Sequence, residues 1–267
     1  MIRRRGGEKE RNSVTDIDDI GYGRQFDGWY DRLFPRDGLA DKTAKHLVSL
    51  HPDPGLGTLE LGVGTGRIAV PLSHEVGRVV GVDSSLEMLS ALEKEVAATG
   101  ADVEAVRGDI RTYADDCQYG LIYCVCGTLS MLLDPTDQQR AVSRAAERLA
   151  PGGVLVVETH NKPGVLAFHA GQERMTYFVP YPEPGTGLQT HSTLFPERNL
   201  WQCSHIWFEA NGTSRVGTEL SRLTAPEEVD AYAAAAGLTP DGRYADWDSS
   251  PYTPQGPMFV SVYIKDS

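Results

Sequence analysis

The sequence is short of cysteine, of long apolar runs and of positive charge, and each shortage excludes something. The four cysteines, Cys117, Cys124, Cys126 and Cys203, show no paired metal-ligand spacing. They read as free thiols of a reducing compartment, so a cytoplasmic protein with no resident metal is expected. No apolar run reaches the roughly 20 residues needed to span a bilayer, which excludes a membrane-spanning helix. Lys and Arg number 25 against 37 Asp and Glu, a formal charge of −12. That balance opposes the sequence-independent attraction to phosphate backbones on which most nucleic-acid binding rests, so no nucleic-acid partner is expected. The triplet Arg3-Arg4-Arg5 lacks the apolar segment and cleavage site of a secretion signal, and residues 1–15 read as a solvated tail.

What remains is an ordinary globular composition, 40% hydrophobic and 23% charged, in a chain long enough for one sizeable core with elaborations. Aromatic residues at 22, 26, 29, 30 and 34 fall on one face of a short helix, and 39–50 carries the spacing of a second, amphipathic one. From residue 58 short apolar strands alternate with helices: strands over 58–63, 78–83, 103–107, 119–125 and 154–159, helices from about 67, over 86–99 and over 138–149. The turn Ala150-Pro151-Gly152-Gly153 precedes the fifth strand. This rhythm predicts an α/β fold, a Rossmann-like and mostly parallel sheet covered by helices on both faces. After His160 it breaks into β-rich stretches, 175–181, 188–195, 200–209 and 214–223, with Asn211-Gly212 as a hairpin turn. An antiparallel insert is expected there, followed by a helix over 225–236 and strands near 242–247 and 258–264. The resulting division is a tail and aromatic lid (1–40), a core (41–160), the insert (161–223) and the last helix and strands of the core (224–267).

The chemistry concentrates at strand ends. In Thr58-Leu-Glu-Leu-Gly-Val-Gly-Thr-Gly-Arg67 an apolar strand runs into three alternating glycines, which allow a sharp turn and a close backbone approach to a ligand. Glu60 just before the turn is awkward for a phosphate and suits a cationic ligand. Asp83 closes the next strand about twenty residues on, where an acid accepts hydrogen bonds from a ribose diol. Asp109, in Arg107-Gly108-Asp109-Ile110, follows the third strand, within reach of an adenine amino group.

With these residues in view the chain resembles the class I S-adenosylmethionine-dependent methyltransferases. Glu60-Leu-Gly62-Val-Gly64-Thr-Gly66 matches their glycine motif, Val80-Gly-Val-Asp83-Ser84 their ribose motif and Gly108-Asp109-Ile110 their adenine motif. Leu149-Ala-Pro-Gly-Gly153 with Val154-Leu-Val-Val-Glu158 matches the approach to and course of their fifth strand. The aromatic segment ending Trp29-Tyr30-Asp31, the β-rich insert and the tail from Asp246 to Pro254 bring the chain near small-molecule N-methyltransferases that tailor antibiotics and amino sugars. Cys124-Val-Cys126-Gly127 departs from them, standing where relatives often place a bulkier aromatic and an amide residue. The resemblance implies S-adenosylmethionine as cofactor, a small-molecule acceptor, and cofactor contacts from Tyr22, Tyr30, Glu60, Gly62, Gly64, Gly66, Asp83, Ser84, Met88, Gly108, Asp109, Ile110, Val125 and Cys126.

His160, at the end of the fifth strand, is the candidate to accept the acceptor's proton, because an imidazole titrates close to neutral pH. Tyr22 and Tyr30 are candidates to cap the cofactor, with Tyr22 also placed beside the reaction. The alternatives are O-methylation of a hydroxyl, a nicotinamide-dependent oxidoreductase reading Gly64, Gly66 and Ala69 as a loose dinucleotide motif, and a non-catalytic nucleoside-binding module. His169, His191 and His205 read as solvent-facing or hairpin residues, and the run from Asp16 to Asp19 as a solvated turn or helix start. No heptad or apolar stripe announces self-association, although a homo-oligomer is compatible with the composition.

Overall fold

The computed structural model describes residues 17–266; the tail foreseen over 1–15 lies outside them. Strands β1 (Thr58–Leu61), β2 (Val79–Asp83), β3 (Val103–Arg107), β4 (Tyr119–Cys124) and β5 (Leu149–His160) pair in parallel, then β10 (Leu238–Tyr244) and β11 (Met258–Lys265) complete the sheet. Their order is β10-β11-β5-β4-β1-β2-β3, with β11 antiparallel to both of its neighbours. Alternation along each strand sends neighbouring side chains to opposite faces. Leu121 and Tyr123 pack beneath α3 (Gly38–Leu50), α4 (Ala69–Val76) and α5 (Leu86–Thr99). Ile122 and Cys124 pack beneath α6 (Pro135–Arg148) and α8 (Pro226–Ala235). A strand covered on both sides has no use for polar residues, which is why these runs are nearly all apolar.

The helix starts are set locally. Asp37 accepts from the backbone N–H groups of Leu39 and Ala40, Ser85 from that of Met88 and Asp134 from that of Thr136, each satisfying a donor that the first turn leaves open. Ser85 matters most for the site, since it fixes α5 immediately beyond Asp83.

The insert is an antiparallel sheet of four strands, β6 (Arg174–Pro180), β7 (Gly187–Phe195), β8 (Leu200–Phe208) and β9 (Ser214–Arg222), in that order. Helix α7 (Lys162–His169), which the sequence rhythm did not announce, joins it to β5. The aromatic N-terminal segment is two short helices, α1 (Tyr22–Phe26) and α2 (Tyr30–Leu33), because Gly28 turns the chain at φ 75° between them. Phe26 and Trp29 are buried against Trp207 of β8. Arg32 makes a two-pronged pair with Glu209 at 2.7 and 2.9 Å, and Gln25 Oε1 accepts from the Thr218 N–H at 2.8 Å. On the other side Thr65 donates to Asp31 at 2.7 Å, tying the segment to the glycine turn. The lid thus rests on the insert and the parallel sheet together.

Several expectations need correction. Ala150-Pro151-Gly152-Gly153 does not precede the fifth strand; it lies within β5, which already pairs Leu149 with Tyr119 of β4. The helix expected from about residue 67 starts at Ala69, after the chain has left the glycine turn. Of the three insert histidines only His191 is exposed. His169 is fully buried and bonds Ser192 at 2.7 Å, while His205 is buried and bonds Thr190 at 2.9 Å. His191 and His205 occupy opposite faces of the insert, because His191 lies opposite Ser204 and Thr190 opposite His205.

Candidate functional site

At the carboxyl edge of the parallel strands one cavity of about 850 Å³ opens between sheet, lid and insert. Its lining includes Tyr22, Tyr30, Glu60, Gly62, Gly64, Asp83, Ser84, Met88, Gly108, Asp109, Ile110, Cys126 and His160. Two residues expected there are not on the wall. Gly66 sits behind it, where an added Cβ would come within 2.4 Å of Leu92, so its glycine serves the packing of the turn on α5. The Val125 side chain points into the core between sheet and helices. Asp18 and Asp19, expected only as a solvated turn, border the cavity.

Glu60 is the most perturbed acid. Its carboxyl sits at the end of β1 with only a sliver exposed, and burial pushes its pKa up to about 8 even though the Tyr123 hydroxyl donates to it at 2.8 Å and Arg67 lies near. A buried acid held against its own ionisation favours any cation that can reach it. Asp83 is likewise raised by burial, but it is held in place: the Gly64 N–H donates to one oxygen and the Ser85 N–H to the other, both at 2.9 Å. The acid closing β2 therefore shapes the glycine turn as well as facing the cavity. Asp109 differs, because the Arg111 guanidinium grips it through Nε and a terminal nitrogen; those bonds outweigh burial and leave its pKa low. Arg111 also reaches Asp137 at 2.8 Å, so the adenine-side acid is part of a fixed network.

At the opposite end stand His160, Tyr22, Tyr30, Cys126, Glu158 and Glu219. Burial lowers the His160 pKa, so the ring is neutral at pH 7. Its Nδ1 is buried without a partner among the described residues, and its ring lies over Gly127 and edge-on to Trp201, 5.0 Å between centroids. Among the described residues no carboxylate bonds the ring, so they form no catalytic dyad with it. Burial raises both Tyr22 and Tyr30 well above the usual phenol range, so both stay protonated. Cys126 holds a left-handed backbone at φ 57°, fixed by its N–H donating to Glu158 at 2.7 Å. Glu158 in turn accepts from Trp247 at 2.7 Å, which gives the tail residue a part in shaping the wall. Non-glycine residues in this region carry strain that the surroundings must hold.

Sequence reasoning missed Arg67, Glu158, Thr218 and Glu219. Arg67 could have been found, since it follows the glycine turn directly; it faces the cavity near Glu60 and Glu158 and reaches the Cys126 sulfur at 2.7 Å. Glu219 had no signal, because only the pairing of β8 with β9 and the docking of the insert bring it there. Together these groups suit a nucleoside bearing an amino acid: an acid and an arginine for the amino acid's two charges, a carboxylate for a diol, and open space over Gly64, where a Cβ would meet nothing within 4 Å.

Fold, cavity and relatives agree on S-adenosylmethionine-dependent methyl transfer. Residues 58–153 match the family described as a methyltransferase domain. The solved structure of the CcbJ methyltransferase from Streptomyces caelestis is 28% identical and superposes with a TM-score of 0.84, over 94% of this chain and 100% of that one. The cypemycin N-terminal methyltransferase of a Streptomyces species is 28% identical over 83% of this chain and 86% of that protein. A protein of Geobacillus sp. (strain WCH70) whose activity is assigned by name only, as a methyltransferase, is 27% identical over 136 residues, a match that spans half of this chain and 55% of that protein. These relatives set aside the nicotinamide and non-catalytic alternatives.

Proposed function

We propose that the protein transfers a methyl group to an amine nitrogen of a small-molecule acceptor of the natural-product type. The observation that carries this reading is the continuous cavity running from the glycine turn to His160 and β9 beneath the lid, whose wall carries the polar groups of Tyr22, His160 and Glu219 as well as the three strand-end acids. It is supported by the likeness to the cypemycin N-terminal methyltransferase across most of both chains. Glu60 and Arg67 would hold the amino acid moiety of S-adenosylmethionine, Asp83 and Ser84 its ribose, and Gly108, Asp109, Ile110 and Met88 its adenine.

When bound, the cofactor supplies a methyl carbon on a sulfonium leaving group. The chain's part is to hold the acceptor in line and keep water out, and orientation of this kind contributes roughly 7–11 kcal/mol in favourable cases. The lid helices, pinned by Arg32, Gln25 and Asp31, exclude water and set Tyr22 and Tyr30 over the site. His160, kept neutral by burial, accepts the proton an ammonium must lose before its lone pair can react. The four-part division of the chain fits this mechanism, with lid and insert closing a cofactor-binding core.

Turnover of methyl-labelled S-adenosylmethionine against matched panels of small amines and alcohols, with the product's methyl located by mass spectrometry, tests the reading. N-methylated product supports it. Methylation of hydroxyls alone overturns the amine assignment.

A further inference from the structure

Glu219 faces the cavity from β9 opposite the glycine turn, and nothing in the cofactor chemistry requires an acid there. Its carboxylate is mostly enclosed, with a side-chain exposure of 16%. One oxygen has a single long contact, 3.4 Å to His205 Nε2, and the other has no hydrogen-bond partner among the described residues. His205 is itself held from behind by Thr190 at 2.9 Å, so the pair is braced toward the cavity. No lysine or arginine pairs with Glu219 among the described residues: Arg67 is turned to Cys126, and Arg215, four residues away on the same side of β9, pairs with Glu209. A second acid, Glu158, and the rings of Tyr22 and His160 line the same end. Glu219 is close enough that its charge bears on both of those rings.

We infer that Glu219 is the acceptor anchor, recognising a protonated amine through its free carboxylate oxygen while the Tyr22 ring lies alongside. An enclosed carboxylate with one long imidazole contact and a free oxygen is under-satisfied, and an ammonium fills that oxygen by a charge-assisted hydrogen bond that a neutral hydroxyl matches only weakly. Aromatic faces add to the preference for a cation. This sets the acceptor class as a small cationic amine, and it explains why the acid stands on the insert: the part of the chain that differs most from the sheet is the part that chooses the substrate. The inference rests on the amine reading above, but the two fail differently.

The test uses the full chain saturated with S-adenosylhomocysteine and two matched probe pairs, phenethylamine with 2-phenylethanol and cyclohexylamine with cyclohexanol, titrated by ligand-observed NMR. Each amine should bind the wild type about tenfold more tightly than its alcohol, the scale of one charged hydrogen bond. Glu219→Gln, which keeps the shape and an acceptor for His205, should bring each pair to within about twofold, with affinity for S-adenosylhomocysteine unchanged. Equal binding of amine and alcohol by the wild type overturns the inference, as does a preference that survives Glu219→Gln. If that variant no longer binds S-adenosylhomocysteine, Glu219→Asp is read instead: it keeps the charge but withdraws it, so a weakened preference supports the anchor and an undiminished one refutes it. Methylation of hydroxyls alone by the wild type would sink the amine function while leaving the probe preference intact. N-methylation with a preference indifferent to residue 219 would sink only the anchor.

Discussion

Glu60 offers the sharpest test of the site, because burial keeps it protonated at pH 7 while a bound cation would ionise it. Its pKa of about 8 reflects burial first; Tyr123, Arg67 and the Ala69 backbone favour the charged form and Asp83 opposes it. If the ammonium of S-adenosylhomocysteine meets this carboxylate, the complex needs Glu60 ionised and the amino group protonated. The ammonium of this free amino acid stays protonated through pH 8, because its own carboxylate lies beside it. At pH 7 about 0.9 of Glu60 must then lose a proton with no offsetting uptake by the ligand, a net release of about 0.9 proton per site. Affinity follows the charged fraction of Glu60, so it should rise about ninefold from pH 6 to pH 7 and level off only above pH 8. Calorimetric titrations with S-adenosylhomocysteine in phosphate and in Tris read the proton directly, as a difference in apparent enthalpy. Glu60→Gln should lose most of the release and flatten the rise between pH 6 and pH 7. Enthalpies that do not depend on the buffer, with affinity already flat over that range, would refute the placement of a cation at Glu60.

Other outcomes follow from the same groups. In the ligand-free protein Glu60 binds its proton until about pH 8 whereas an unfolded glutamate releases it near 4.5. Stability from this group is therefore lost as pH climbs through that window, and Glu60→Gln should raise the stability of the empty protein at pH 8 by up to a few kcal/mol in denaturant melts; no gain would mean the carboxyl is solvated. Asp83→Ala should weaken S-adenosylhomocysteine by roughly 1.5–3 kcal/mol per charged hydrogen bond lost in calorimetry, and unchanged affinity would remove the ribose role. His160→Ala should lower kcat about 10²-fold with cofactor affinity intact, and a rise in KM alone would assign the ring to holding the acceptor. Iodoacetamide at pH 8 should label Cys117 well before Cys126: both are exposed, but the surrounding cavity wall, and next the charge of Glu158, hold the Cys126 thiol far above the usual range. Preferential loss of Cys126 in peptide mapping would contradict that.

The sequence by itself determined the sheet and the glycine turn. Apolar strands alternating with amphipathic helices have few stable arrangements, and a strand that ends in glycines and an acid places both at the sheet's carboxyl edge wherever the fold is doubly wound. That is why Glu60, Asp83 and Asp109 could be picked out on local grounds and stand together on one cavity wall. Gly66 and Val125 show the limit of motif reading: a neighbour in the motif shares the turn but not the wall, since alternation along the chain sends it into the packing behind. Only the tertiary structure decided the opposite wall. The break at Gly28 folds the aromatic run back on itself, the register of β8 with β9 sets which insert residues face inward, and the docking of the insert on the lid brings Glu219 and Thr218 to strand ends far away in sequence. Those placements depend on contacts between distant segments, to which local periodicity is blind. Residue type told where a nucleoside could lie; long-range packing told what could be laid beside it.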